Sequence, residues 1–186
     1  MTEMFAKIQE VLKGYDMSKL TIGVLGGHSA LDVCRGAKKF GFRTLAVCQK
    51  GREKTYSKFF RSRQGLFGQN IGCVDQVLEV DSFADIVKPE IQQKLRELNT
   101  IFIHNRYFWV YCDFKQIEND FFVPIFGNRD YVKLEERDQP MNQYVLLEKA
   151  GIHMPKIIRK GGDVQGRRLL EEKLDHHFVK EKGPPL

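Results

Sequence analysis

The residues best suited to chemistry lie in the short segment Gly26-Gly27-His28-Ser29. Glycines let the backbone turn sharply and approach a ligand closely. Histidine can donate a hydrogen bond or exchange a proton near neutral pH. If a helix opens at His28 or Ser29, the N–H groups of its first turn and its dipole favour an anion. We therefore interpret Gly26, Gly27, His28 and Ser29 as a phosphate-binding corner.

Two cations follow the next apolar segment. Residues 44–48 predict a buried strand, and Lys50 and Arg52 lie in the polar loop just after it. Ligands of open α/β sheets bind at the carboxyl ends of strands, where Lys and Arg can hold a phosphate or a carboxylate. Both are candidate ligand contacts, and a solvated basic loop is the alternative interpretation.

Further candidates follow later apolar segments. Tyr107 comes just after a predicted strand, within the aromatic run of residues 106–114. Such a run could stack nucleobases or could belong to the core. Arg129 follows another short apolar segment and could hold a phosphate, cap a helix or pair with Asp130.

These residues need a sheet that brings strand ends together. An apolar strand from Thr21, a helix ended by Gly41, and the strand at residues 44–48 form a βαβ unit within about thirty residues. The pattern predicts a Rossmann-like α/β domain with a parallel sheet. Other predicted elements are an N-terminal amphipathic helix, strands at 74–80 and 100–104, a helical stretch at 82–98 with a new helix at Pro89, a short strand from 123, and a helix from 134 to 150.

Composition favours anionic partners without choosing among them. The 186 residues carry a formal charge of +6 and a pI near 9.1, which suits nucleotides as well as nucleic acid. No basic stripe marks one helical face, so we do not expect nucleic acid to be the partner. No run approaches the roughly 18 apolar residues of a membrane span, and the N-terminus lacks the apolar core of a signal peptide. We expect a cytoplasmic protein.

The cysteines predict buried thiols rather than a metal site. No two of them form a C-x-x-C pair, which disfavours zinc. Their apolar neighbours suit small buried side chains in a reducing compartment. The four residues are Cys34, Cys48, Cys73 and Cys112.

Several ordered motifs resemble one family. Together they are similar to the archaeal PurP family, formate-dependent ligases of late purine biosynthesis. The resemblance covers roughly residues 1–158. The motifs are Gly26-Gly-His-Ser-Ala, Val47-Cys-Gln-Lys-Gly-Arg-Glu, Val123-Pro-Ile-Phe-Gly-Asn-Arg, Glu135-Glu-Arg-Asp, and Leu146-Leu-Glu-Lys-Ala-Gly-Ile with Pro155-Lys.

The resemblance implies an ATP-grasp enzyme preceded by a substrate-binding domain. In that family ATP and Mg²⁺ activate formate as formyl phosphate. The 5-amino group of aminoimidazole carboxamide ribonucleotide (AICAR) then attacks it to give the formylated product (FAICAR). The family's ribonucleotide-contacting histidine matches His28. A serine that also contacts the ribonucleotide is replaced here by Tyr107, within His104-Asn-Arg-Tyr-Phe.

The same resemblance predicts the domain organisation. We expect a substrate-binding α/β domain at residues 1–125, the start of an ATP-grasp domain at 126–158, and a divergent basic tail at 159–186. The family's ATP loop and magnesium carboxylates are not recognisable in that tail, whose adjacent Glu171 and Glu172 suit a solvated helix face. We therefore expect a truncated ligase, with no assigned catalytic or metal-binding residue.

Two alternatives stay open. One is a non-catalytic ribonucleotide-binding module, and the other is a divergent paralogue with a different substrate, which the replacement by Tyr107 suggests. The resemblance also suggests a homo-oligomer.

Overall fold

The first structural unit is built on a parallel sheet. The computed structural model describes residues 3–129, 134 and 140–154, and the chain divides into a unit of residues 1–132 and a unit of residues 133–186. The strands are β1 (Thr21–Leu25), β2 (Arg43–Gln49), β3 (Arg63–Gln64), β4 (Asn70–Ile71), β5 (Gln76–Val80) and β6 (Thr100–Phe102). Four of them pair in parallel in the order β5-β2-β1-β6. The predicted Rossmann-like α/β fold is confirmed.

Local chemistry accounts for the end of one helix and the start of another. The second helix is followed by Gly41, whose φ of +80° suits glycine. Pro89 is the first residue of the third helix, as its fixed φ favours. The helices are α1 (Glu3–Lys13), α2 (Ala30–Lys39), α3 (Pro89–Glu97), α4 (Tyr107–Tyr111), α5 (Phe114–Asp120) and α6 (Gln143–Lys149).

The strand order creates a crevice beside β1. From β1 the chain moves outward to β2 and β5, then returns to place β6 on the other side of β1. The connections that leave β1 and β6 therefore run in opposite directions at their carboxyl ends. Ligands of open α/β sheets bind at such a switch point. The segment 26–29 and the loop before α4 both lie there.

Alternating side chains of the central strands pack on two faces of the sheet. Val24 and Ala46 face α2 with Ala30 and with Cys34, Cys48 and Cys73, whereas Leu25 and Val47 face a cluster that includes Phe102. Cys34, Cys48 and Cys73 are buried, and Cys112 is partly buried. All four are free thiols, so the prediction of buried thiols is confirmed for three of them.

The outer side of β6 meets a short extended segment. The N–H of Phe102 donates to the carbonyl of Pro124, and the N–H of Phe126 donates to the carbonyl of Phe102. The strand expected from residue 123 is thus a single parallel bridge between Phe102 and Ile125. Among the described residues, no helix is long and apolar enough to cross a membrane.

The second unit contains one described helix. Asn142 caps α6 by accepting from the N–H groups of Tyr144 and Val145, and Gly151 follows its end with a φ of +66°. The helix expected over 134–150 is therefore shorter, with a turn at Leu134. The boundaries expected at 125 and 158 stay predictions. The tail expected at 159–186 lies outside the described residues.

Candidate functional site

The N–H groups of both corner glycines already donate to carbonyls of the protein. Gly26 donates to the Val47 carbonyl over 2.7 Å, and Gly27 donates to the Leu25 carbonyl over 2.8 Å. The first turn of α2 still has donors without intrahelical acceptors. An anion at this corner would therefore meet the backbone of His28, Ser29 and α2 rather than that of the glycines.

Protein packing explains why both positions are glycine. A Cβ atom on Gly26 would lie 2.6 Å from the sulfur of Cys48, and one on Gly27 would lie 2.1 Å from the ring of Tyr107. We expected glycine to admit a ligand. The structure shows that it admits neighbouring side chains.

His28 and Ser29 form an exposed pair at the mouth of the corner. The Ser29 hydroxyl oxygen lies 2.8 Å from His28 Nδ1, which leaves Nε2 for another partner. Ser29 has a φ of +65°, a left-handed conformation that is uncommon for a residue with a side chain and often marks a functional site. The helix begins at Ala30, with Ser29 as its N-cap residue, rather than at His28 or Ser29 as expected.

The aromatic run splits between the core and the corner. Phe108 is fully buried, whereas Tyr107 is half-buried and its ring lies against Gly27. The rings of Tyr107 and Tyr111 are 4.9 Å apart, and Phe83 packs on both, at 5.0 and 5.2 Å. Tyr107 thus forms one wall of the crevice beside β1.

Arg52 reaches this aromatic wall from the loop after β2. Its Nη1 donates to the Tyr111 hydroxyl over 3.5 Å, and that contact raises the pKa of Arg52. Because β1 lies between β2 and β6, the contact passes the carboxyl end of β1. The structure therefore brings Arg52 and Tyr107 to the glycine corner.

Lys50 points to the other side of β2. Its ammonium lies 2.6 Å from a carboxylate oxygen of Asp81, just after β5, and this partner raises the pKa of Lys50. A shallow depression there is lined by Lys50, Glu79, Asp81, Asp85 and Lys88, among others. The structure does not bring Lys50 together with the glycine corner.

The Arg129 guanidinium donates hydrogen bonds to backbone carbonyls of the first unit. Its guanidinium donates to the carbonyls of Ile117 and Val123 over 2.7 and 2.9 Å, and lies 5.7 Å from the ring centre of Phe121. These contacts favour the structural alternative for Arg129 over phosphate binding.

Sequence reasoning missed Asn105. Its buried amide donates to the carbonyls of Leu25 and His28 over 2.8 and 3.0 Å. Its oxygen accepts from the N–H of Tyr107 over 3.1 Å. Asn105 lies in the His104-Asn-Arg-Tyr-Phe segment after β6, and its polar type at a strand end was the available signal.

The described residues contain no cluster of three metal-ligating side chains. Within residues 3–129, 134 and 140–154, no three His, Cys, Asp or Glu side chains could share a metal ion. Glu171 and Glu172 lie outside the described residues. The corner instead offers neutral and cationic donors, which suit an anionic ligand.

Comparisons with known proteins agree on one family. Residues 22–158 match the family described as protein of unknown function DUF1246. The chain is 39% identical over 150 residues to the 5-formaminoimidazole-4-carboxamide-1-(beta)-D-ribofuranosyl 5'-monophosphate synthetase of Methanothermobacter thermautotrophicus, covering 80% of this chain and 37% of that protein. It is 36% identical over 165 residues to the synthetase of the same name from Methanocaldococcus jannaschii, covering 89% and 42%.

A solved structure shares the fold. The crystal structure of an IMP biosynthesis protein PurP from Thermococcus kodakaraensis matches with a TM-score of 0.53 and 23% identity, covering 74% of this chain and 39% of that one. The chain thus spans about two fifths of the length of the relatives it matches. It belongs to the DUF1246 family and corresponds to the N-terminal part of the PurP synthetases.

Proposed function

We propose that this chain supplies the ribonucleotide-binding part of an ATP- and formate-dependent ligase that formylates AICAR to FAICAR in IMP biosynthesis. The names of its relatives support the reaction. The structural observation that best supports a ribonucleotide site is the crevice beside β1, where His28, Arg52 and Tyr107 line the carboxyl end of the strand.

Each of these side chains has a defined task in the proposal. His28 keeps Nδ1 on Ser29 and presents Nε2 to the phosphate or the ribose. The side-chain partners of Arg52 are neutral phenols, those of Tyr111, at 3.5 Å, and of Tyr107. A phosphate is a stronger partner for a guanidinium, so Arg52 would exchange Tyr111 for it. The ring of Tyr107 offers a face to the base.

ATP and Mg²⁺ would be held elsewhere in the proposed enzyme. The described residues contain no cluster that fits magnesium, so we derive no step through it. ATP would activate formate, and the ribonucleotide amine would attack the activated formyl group. We therefore expect the chain alone to bind the ribonucleotide without turnover.

The second candidate is a ribonucleotide-binding module or a paralogue with a different substrate. The ring of Tyr107 against Gly27 favours it, because the ring narrows the crevice. A turnover assay with AICAR, ATP, formate and Mg²⁺ distinguishes the two candidates. The protein assayed is this chain fused to the part of a relative's sequence that this chain does not cover. Formation of the formylated product excludes the non-catalytic module, and binding without product excludes the ligase.

Binding partners other than small molecules stay predictions. Leu66 and Phe67, between β3 and β4, are 97% and 92% exposed. Exposed apolar side chains of this size suit contact with another protein surface, which supports the homo-oligomer suggested by the sequence.

Titration calorimetry with AICAR tests the ribonucleotide site. We expect the wild-type chain to bind with a dissociation constant of about 1 mM or lower, since even 1 mM corresponds to about −4 kcal/mol. His28→Ala should weaken binding about tenfold or more, because a charge-assisted hydrogen bond contributes roughly 1.5–3 kcal/mol.

A matched control removes a histidine from the other unit. His153 is also exposed, and His153→Ala should bind AICAR as the wild type does. Equal affinity of the His28 and His153 variants would remove His28 from the site. Absence of heat with the wild type at millimolar AICAR would overturn the proposed function itself.

A further inference from the structure

Asn105 connects the loops that follow β1 and β6, beyond the point where the two strands stop pairing. The last β1–β6 ladder bond runs from the N–H of Ile103 to the carbonyl of Gly23, over 2.8 Å. Leu25 has the next carbonyl that faces β6, and the side-chain amide of Asn105 donates to it. A side chain thus continues the pairing where the two backbones separate to form the crevice.

The bonds of Asn105 reach both walls of that crevice. On one side its Nδ2 donates to the carbonyl of His28, and on the other its Oδ1 accepts from the N–H of Tyr107. These partners fix the orientation of the amide, since the reverse orientation would face its oxygen with two carbonyls. Asn105 is 7% exposed, so water cannot easily replace these bonds.

We propose that Asn105 is a positioning residue for the ligand-binding corner. It holds the turn at His28 and the start of α4 in one arrangement, so that a ligand meets His28 and Tyr107 together. The ring of Tyr107 lies against Gly27 because α4 starts at the place that Asn105 sets. This inference rests on the proposed ribonucleotide site for its ligand, though the positioning itself does not.

The chain contains a matched control for this role. Gln92 is 2% exposed, and its side-chain amide likewise donates to two carbonyls, those of Val87 and Asp120. Its oxygen accepts from the N–H of Phe122. Gln92→Ala therefore removes the same kind of buried amide from α3, where no proposed ligand contact lies.

The experiment compares three variants of the full chain by calorimetry with AICAR and by NMR. Asn105→Ala and Asn105→Asp should weaken binding roughly tenfold or more, since small displacements of a binding group have large effects. Asn105→Asp keeps the shape and one acceptor, but it loses both donors and, when ionised, faces the carbonyls of Leu25 and His28 with a negative charge. Its loss of affinity should therefore equal or exceed that of Asn105→Ala, whose truncation adds no charge. Gln92→Ala should lower the melting temperature to a similar extent and bind as the wild type does.

NMR supplies a reading that needs no ligand. The contact between the Gly27 Hα protons and the Tyr107 ring should weaken in both Asn105 variants and persist in Gln92→Ala. Retention of that contact in the Asn105 variants overturns the inference, as does equal AICAR affinity in Asn105→Ala and Gln92→Ala. If the wild type does not bind AICAR, the proposed function fails and the NMR contact alone decides the role of Asn105.

Discussion

At the residue scale, Gly27 and Tyr107 determine how much room the corner offers. The aromatic ring occupies the space in which a side chain at position 27 would lie. A Cβ atom within 2.1 Å of a ring carbon cannot be accommodated, so one of the two residues has to move. The size of the residue at position 107 therefore sets the room beside Gly27.

Gly27→Ala should destabilise the fold by about 1–3 kcal/mol, the usual cost of overpacking. The control is Gly36→Ala, in α2, where an added Cβ meets nothing within 4 Å. That change should stabilise the helix by roughly 0.5–1 kcal/mol. Chemical denaturation of both variants measures the difference.

Tyr107→Ser tests the cause of the Gly27 effect. In the double variant with Gly27→Ala, the added methyl group has room, so the combined loss of stability should be smaller than the sum. Simple additivity would show that the ring does not press on Gly27. In either case Phe108, the buried neighbour in the same helix, stays in place as a core residue.

At the element scale, Asp75 links the end of α2, the start of β2 and the segment that leads into β5. Its carboxylate accepts from the ammonium of Lys38 at the end of α2, at 3.0 Å, and from the N–H of Thr44 in β2, at 2.9 Å. The Thr44 hydroxyl in turn donates to the carbonyl of Cys73 over 2.7 Å. The set fixes α2 against the start of β2 and the approach to β5.

Asp75→Asn should lower stability near neutral pH by about 1–3 kcal/mol, the cost of losing bonds to a charged group. Burial raises the pKa of Asp75, but the hydrogen bonds from Lys38 and Thr44 outweigh it and hold the pKa below its ordinary value. The stability that the ionised Asp75 contributes is therefore fully present above about pH 4, and it is lost as the pH falls through the lowered pKa.

Denaturation at a series of pH values measures this dependence. The difference between the wild type and Asp75→Asn should shrink in acid. Glu3→Gln is the comparison, because Glu3 forms an exposed pair with Lys7 and solvent-exposed ion pairs contribute little to stability. A difference for Asp75→Asn that stays constant down to about pH 2 would contradict the assignment.

Local patterns explain which elements were predictable. The apolar run of β1, the glycine after α2 and Pro89 at the start of α3 each act through neighbouring residues, so the sequence predicts them directly. The partner of Lys50 depends instead on β5 lying beside β2. Nothing near residue 50 in the sequence carries that information, nor does the sequence near Asn105 name its acceptor at Leu25.

At the scale of the whole molecule, the parallel sheet sets the site more than any single motif does. β1 is central, so its carboxyl end is bordered by the loops after both β2 and β6. Arg52 and Tyr107 come from those two loops, and they converge because of the strand order. The sequence could not separate Lys50 from Arg52, because both follow β2. In the structure Arg52 lies on the side of β1, whereas Lys50 lies on the side of β5.

The buried thiol of Cys48 and the partly buried thiol of Cys112 can report on how often the domain opens. Burial raises the pKa of Cys48 and of Cys112 to about 12, so at mildly alkaline pH each reacts with a thiol reagent only after its surroundings open. Cys48 lies behind Gly26 on one face of the sheet, and Cys112 packs on the other face.

AICAR should slow the labelling of Cys48 more than that of Cys112, because a ligand at the corner opposes local opening there first. Mass spectrometry of labelled peptides over time measures both rates. Equal slowing would mean that the two thiols react only through global unfolding. Unchanged rates at both thiols would contradict an AICAR site whose formation is coupled to the packing of Cys48.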